Sequence, residues 1–454
     1  MTATLAEAPA SEAAPPVARP VPVGRVLRFE LVKQFSAWRV RLLILLCWLG
    51  PAVLVFAIDQ QSTLPSDTLF GRWMYATGWA GSLVALGFAG TWALPLLTSV
   101  VAGDVFASED RLGTWRHLII AIRSQRRIFA AKALASLIVI LLLVTGLAVS
   151  SIVGGLLAKG DKPLIGLDGH TLAPGDAAGK VVLAWVCVLA PTLALVAIGL
   201  LGSIALGRSP MGLLLPMLVA LGMQLAQMLP LPVALRLALP GYAFISWNGL
   251  FTDPRQLKPL LIGIVVSLVW AVVATVLAYL LFLRRDFTNL TNDGAGRRVV
   301  SLGVLPLAGL LAVTTGVVAA AGGAGGSGIE QDKVQQSVAT AFAHLYRLQE
   351  AQMHRPPVTE AQLRAAASCL KTEGHGAQEG AGNDWRCTVT WHVPGVTLTG
   401  TSYYQLDVTA NGRYIADGDG PQEVNGYFLI ATPGGDVPNP LWQFDGNVDL
   451  LPTH

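Results

Sequence analysis

Charged side chains that could do chemistry concentrate in one stretch, residues 103–132, which reads GDVFASEDRLGTWRHLIIAIRSQRRIFAAK. Glu109 and Asp110 lie just ahead of Gly113 and Thr114. Thr is a usual helix cap, so a short helix is expected to begin there with two carboxylates near the positive end of its dipole. Trp115, Leu118 and Ile119 give that helix an apolar face able to sit in a partner's groove, and Arg116, Arg126 and Arg127 add positive charge around it. Taken alone, the arginines fit a solvated cytoplasmic loop equally well. Catalytic patterns are missing: no Gly-x-x-x-x-Gly-Lys-Ser/Thr phosphate loop occurs, residues 175–180 (GDAAGK) have the wrong spacing, and no GxSxG elbow, HExxH or nucleophile–base–acid set stands out. The chain is expected to be no enzyme and to bind no cofactor or metal of its own.

The elements that carry this loop are apolar. Hydrophobic residues make up 53% of the 454 positions and charged residues 13%, where soluble domains carry about 25% charged residues. Runs of roughly twenty apolar residues, enough to cross a hydrocarbon core of about 30 Å, predict seven spans at 40–58, 78–103, 130–158, 180–206, 210–229, 259–283 and 299–321. Residues 1–23 lack the apolar region of a secretory signal and read as a disordered cytosolic tail. Residues 24–41 set Val26, Leu27, Leu31, Phe35 and Trp38 at helical spacing among arginines and Lys33, the pattern of an interfacial helix. Prolines 230, 232, 240 and 254 break residues 230–257 into short interfacial or re-entrant pieces. Gln224 and Gln227 are the main polar groups of the fifth span, read first as interhelical hydrogen bonders and second as cargo contacts. Placing the N-terminus inside puts seventeen Lys/Arg on cytoplasmic segments and seven on external ones, which sets the orientation.

Seven spans then leave the C-terminal part outside, after a Gly-rich tether at 322–328. Helical spacing of Val334, Val338, Phe342, Leu345 and Leu348, a capping box from Thr359 to Gln362, strand alternation through Trp385, Cys387, Val389 and Trp391, and a hairpin signal at Asn411-Gly412 predict a small α+β domain. From Glu330 on, the net charge is −7. Cys369 and Cys387 share that domain, and an external compartment favours a disulfide between them. The alternative, a zinc site completed by His375 and His392, has the spacing C-x5-H-x11-C-x4-H, which matches no common zinc module. Trp391, Tyr403, Tyr404 and Tyr414 are the candidate contact residues of the domain.

Glu109, Gly113-Thr114, the apolar 118–120, Arg126-Arg127 and Lys132 resemble the segment between the second and third spans of the type-two export permeases of the ATP-binding-cassette superfamily, over about residues 24–285. The chain departs from that pattern at Ile122-Arg123, where the family usually has a proline. The resemblance implies a coupling helix built from Glu109, Asp110, Gly113, Thr114, Trp115, Arg116, Leu118, Arg126 and Arg127. It also implies a separate ATPase subunit that holds ATP and magnesium, a second permease subunit, and outward movement of cargo across the cell membrane. Spans without central ionisable residues suit an apolar or amphipathic cargo and count against an ion-coupled carrier. Two alternatives are a membrane-anchored receptor with a ligand-sensing tail and an ATP-independent carrier. No nucleic-acid partner is expected. The expected organisation is an all-α polytopic membrane domain of about seven helices plus a small α+β domain: 1–23 tail, 24–285 six-span permease domain, 286–321 linker and seventh helix, 322–328 Gly-rich linker, 329–454 extracytoplasmic domain.

Overall fold

A computed structural model describes residues 21–60, 77–206, 211–285, 287, 300–322, 326–372, 378–393, 395 and 397–451. Most of the expected N-terminal tail, residues 323–325 of the tether and His375 lie outside the described residues.

The apolar runs become helices, which satisfy their backbone groups within the segment. In chain order they are α1 (Val23–Ser36), α2 (Trp38–Asp59), α3 (Gly78–Phe88) continuing through a π-turn into α4 (Leu94–Val101), the short α5 (Ala107–Leu112) and α6 (Trp115–Ile122), and the long α7 (Gln125–Lys159). A two-stranded ribbon, β1 (Leu164–Ile165) and β2 (Thr171–Leu172), precedes α8 (Pro174–Cys187), α9 (Leu189–Leu206) and α10 (Met211–Met228). Then follow α11 (Val233–Leu237), α12 (Pro240–Ala243), a 3-10 turn (Ser246–Phe251), α13 (Leu257–Leu283) and α14 (Leu305–Gly322). Among the described residues, six helical stretches are long and apolar enough to cross a membrane: Trp38–Asp59, Gly78–Val101, Gln125–Lys159, Pro174–Leu206, Leu257–Leu283 and Ser301–Ala321. The expected fifth span coincides with the apolar helix α10, within which Leu214–Met228 forms a shorter apolar stretch than these six. The expected single helix over 24–41 is instead broken at Ala37, whose extended backbone turns α1 away from α2.

Small residues set the helix packing. Gly146, Ser150 and Gly154 share one face of α7, and α2 lies directly on it: a Cβ on Gly154 would sit 2.5 Å from Ala52 Cα, and one on Gly146 would meet the Trp48 ring. Ser150 Oγ accepts the Ala52 N–H at 3.1 Å. This is the close approach by which membrane helices gain van der Waals contact. Leu45, Leu49, Val53 and Phe56 on the remaining surface of α2 stay exposed, as lipid-facing residues do.

The C-terminal part folds α15 (Gln331–Gln352) across one face of a five-stranded antiparallel sheet ordered β3-β4-β5-β6-β9. The strands are β3 (Ala366–Lys371), β4 (Gly382–His392), β5 (Thr399–Val408), β6 (Arg413–Gly418) and β9 (Gln443–Asn447), with a separate hairpin of β7 (Leu429–Thr432) and β8 (Gly435–Pro438). Val334, Val338, Phe342 and Leu345 meet Trp385, Val389, Tyr404 and Phe444 in the buried layer between helix and sheet. Thr359 caps α16 (Glu360–Leu363) with the reciprocal Thr359–Gln362 bonds of a capping box. Gly412 takes the positive φ (+87°) that the β5–β6 turn needs. Cys369 and Cys387 are directly opposed in β3 and β4 and joined by a disulfide.

This domain is docked on the membrane part, where the Gly-rich composition suggested a free tether. The buried Arg236 of α11 donates to the Ala410 carbonyl, Gln256 Nε2 donates to the Asn447 carbonyl at 3.0 Å, and Val233 N–H donates to Gly326 O at 3.0 Å. Gly328, at φ +75°, lies so close to Val233 and Leu450 that a side chain there would collide with both.

Candidate functional site

The loop of residues 103–124 is braced from below by ion pairs that converge from distant parts of the chain. Lys132, in the second turn of α7, is buried and spends all three ammonium protons, on Glu30 (3.1 Å), Glu109 (2.7 Å) and the Val105 carbonyl (3.3 Å). Its ammonium also lies about 6 Å from the Phe106 and Trp115 ring centroids. Lys33 of α1 pairs with the same Glu109 oxygen, and Thr114 donates to the other. Burial works against the charge on Glu109 and is the largest single influence, but Lys132, Lys33 and Thr114 together outweigh it and hold the carboxyl down at about 2. Glu109 is therefore ionised and locked at any physiological pH.

Asp110, one residue on, faces another way. Its Oδ1 takes the Trp115 indole N–H at 2.7 Å and an Arg285 N–H at 2.8 Å, which joins α5 and α6 to the end of α13. Trp115 packs against Phe106, Phe282 and Phe287. A third carboxylate, Asp104, is gripped by Arg39 and by Arg111 (2.6 Å). Ser203 of α9 accepts the Phe106 and Ala107 N–H groups at 3.0 and 2.9 Å and so caps α5 from outside.

These positions correct two expectations about the loop. Glu109 and Asp110 precede the start of α6 as expected, but they lie within the additional short helix α5, buried, and serve as anchors. Trp115 is 3% exposed and turned inward, because an indole that bonds Asp110 and packs against three phenylalanines is stabilised inside. Gly113 ends α5 in the left-handed conformation (φ +65°), and Thr114 precedes α6 while its hydroxyl serves Glu109 in place of a helix cap. The surface left outward carries Leu112 (68% exposed), Gly113, Arg116, Ile120 (61%), Arg123 and Arg126, with Leu118 half-buried at its rim. Arg127 is half-buried and donates to the Val21 carbonyl at 2.7 Å, so it clasps the start of α1.

Gln227 is buried and donates to the Arg236 carbonyl at 3.2 Å, the interhelical use expected first; Gln224 is half-buried. In the C-terminal domain Tyr404 and Tyr414 are buried and hydrogen-bonded, Trp391 is half-buried, and of the four aromatic candidates Tyr403 faces solvent. Among the described residues no group of three or more His, Cys, Asp or Glu is placed to hold a metal ion.

Sequence reasoning missed Glu30, Lys33, Asp104, Ser203 and Arg285. Glu30 carried a signal: it lies four residues after Val26, on the apolar side of α1, where an unpaired charge is costly. The others have no local signal. Compared with known proteins, the chain matches no family model, no curated protein and no solved structure.

Proposed function

We propose that this chain is the membrane-spanning subunit of an ATP-driven exporter and that α6 is the element through which a separate ATPase subunit moves it. The observation that carries the reading is the bracing of the 103–124 loop. Its inner face is tied by Glu109 to α1 and α7, by Asp110 to the end of α13 and by Asp104 to α2, while its outer face exposes Arg116, Ile120, Arg123 and Arg126. A short helix held this way acts as a lever, because a push on α6 is delivered to four helices through charge-assisted bonds instead of being absorbed by a soft loop. The resemblance of residues 103–132 to the export-permease pattern supplies the kind of partner, ATP and magnesium being held by that partner.

In this reading two such subunits and two ATPase subunits form the working assembly in the cell membrane, with the loop in the cytoplasm and the C-terminal domain outside. The cargo is an apolar or amphipathic molecule, since the apolar helices keep their charges at the ends.

The test is co-purification from the native membrane. The wild-type chain should bring down an ATPase subunit, and Ile120→Glu, which alters the exposed face without touching the ion pairs, should lose it while the protein keeps its melting temperature. Retention of the same ATPase by Ile120→Glu would remove α6 as the docking element, and absence of any ATPase from the wild-type preparation would remove the exporter reading.

A further inference from the structure

Where the docked C-terminal domain meets the start of α13, a cavity of about 280 Å³ lies between the first turn of that helix, the loop before it and α15. Sites that enclose a drug-sized molecule measure about 300–1,000 Å³, so this one takes a small polar group or the head of a larger molecule. Its wall carries Arg255, Lys258 and Lys333 together with Asp168, Asp253 and Asp449, and no aromatic side chain lines it. With three cations and three carboxylates on the wall, a ligand that carries both signs gains more than one that carries either alone.

These charged groups are not equally available. Asp168 is spent, its Oδ2 accepting the Asp253 N–H at 2.6 Å and its Oδ1 meeting His170, and Asp253 is exposed to solvent. Asp449 is half-buried, its Oδ1 accepts the Leu451 N–H at 3.1 Å, and among the described residues no cation pairs with it. Burial raises the Asp449 carboxyl above its ordinary range although Lys333 and Lys258 pull the other way, so an ammonium group brought to it offsets part of that cost. On the cationic side, Arg255 is exposed and makes no hydrogen bond or ion pair among the described residues, and Lys258 is exposed three positions on. Lys333 is already engaged with the Gly328 carbonyl and Glu330, both at 3.4 Å. Leu257, between the two exposed cations in sequence, also lines the cavity and begins an exposed apolar row on one face of α13: Leu257, Leu261, Val265, Leu268 and Val272. The order is thus apolar row, exposed cations, half-buried carboxylate. It matches acyl chain, phosphate and ammonium along an aminophospholipid.

We propose that this cavity binds the head group of an aminophospholipid, with the phosphate held by Arg255 and Lys258, the primary ammonium by Asp449, and an acyl chain laid along the α13 row. A primary ammonium is favoured over a quaternary one because it donates hydrogen bonds to a carboxylate, whereas quaternary ammonium is recognised by aromatic faces and this wall has none. The site stands independently of the export reading, since it requires only that α13 spans a bilayer.

The test is native mass spectrometry of the full chain released from detergent micelles and titrated with dioleoyl phosphatidylethanolamine, phosphatidylcholine and phosphatidylglycerol. The wild-type chain should hold the ethanolamine lipid about tenfold more tightly than either of the others, the size of one charge-assisted hydrogen bond. Asp449→Asn keeps an oxygen for the Leu451 N–H and removes the charge, so it should bring the ethanolamine lipid down to the choline level. Arg255→Gln should weaken the ethanolamine and choline lipids alike, because both carry the phosphate. Arg255 is exposed and unbonded, so this variant folds and decides the question even where Asp449→Asn does not. Phosphorylethanolamine, the head group alone, should bind far more weakly than the lipid; equally tight binding would assign the cavity to a soluble ligand and overturn the lipid site. Equal retention of the three lipids by the wild-type chain, or wild-type behaviour of either variant, also overturns it.

Discussion

The ammonium of Lys132 is the single group on which the loop depends most. It neutralises Glu30 and Glu109 together in surroundings where all three are about 1% exposed. Lys132→Met leaves two buried carboxylates without their shared partner, a change expected to cost about 3–5 kcal/mol. It should lower the unfolding midpoint followed by tryptophan fluorescence by several degrees; an unchanged midpoint would show that the triad contributes nothing net. Glu109 predicts the acid response. Its folded-state pKa lies below its unfolded value of 4.5, so its contribution is complete above that value and is lost as pH falls from 4.5 towards 2. Glu109→Gln should remove that part of the acid transition and leave stability between pH 6 and 8 independent of pH at this site. A full-size acid transition in Glu109→Gln would show that other carboxylates govern it.

Between elements, the α2–α7 seam has no room to spare. Gly154→Leu drives a side chain into the Ala52 backbone, and overpacking of this kind costs about 1–3 kcal/mol or more. The same substitution at Gly316 of α14, where nothing lies within 4 Å, should be tolerated within about 0.5 kcal/mol. Melting of the two variants in detergent checks the contrast, and equal loss in both would mean that helix propensity, not the seam, sets the effect. Element types were legible from the chain because they follow from neighbours: the apolar period predicted the helices, Thr359 and Gln362 predicted the cap of α16, and Asn411-Gly412 predicted the β5–β6 turn. The break at Ala37 was not legible. Ala favours helix, and the chain turns there because α1 must lie on α7, with Val26 and Glu30 facing inward, while α2 runs along the Gly146–Gly154 face.

Over the whole molecule, the loop and the docked domain sit at opposite ends of α7, whose 35 residues span about 50 Å. The orientation predicts that a membrane-impermeant maleimide reaches Asp436→Cys in intact cells and Arg123→Cys only after permeabilisation. Cys47 and Cys187 are buried and give little background. The reverse pattern would invert the topology and place the Cys369–Cys387 disulfide in a reducing compartment. Removal of the chain after residue 321 should leave the ion-paired loop and its proposed contact with an ATPase subunit intact. It should also expose Arg236 and Gln256, whose bonds to Ala410 and Asn447 are lost, so a lower melting temperature with unchanged ATPase recovery is expected. Loss of ATPase recovery on truncation would show that the two ends are coupled through the fold. By itself the sequence determined that apolar helices dominate, that a polar α+β domain follows, that a charged loop interrupts the apolar runs at residues 103–132, and that Cys369 could meet Cys387, since all of these are matters of composition, period and short spacing. Only the tertiary structure decided which charges meet. Lys33 and Glu109 are 76 positions apart, Glu30 and Lys132 102, and Asp110 and Arg285 175. No local preference encodes such pairs, because the free energy that favours them exists only once the helices have packed and removed the water between them.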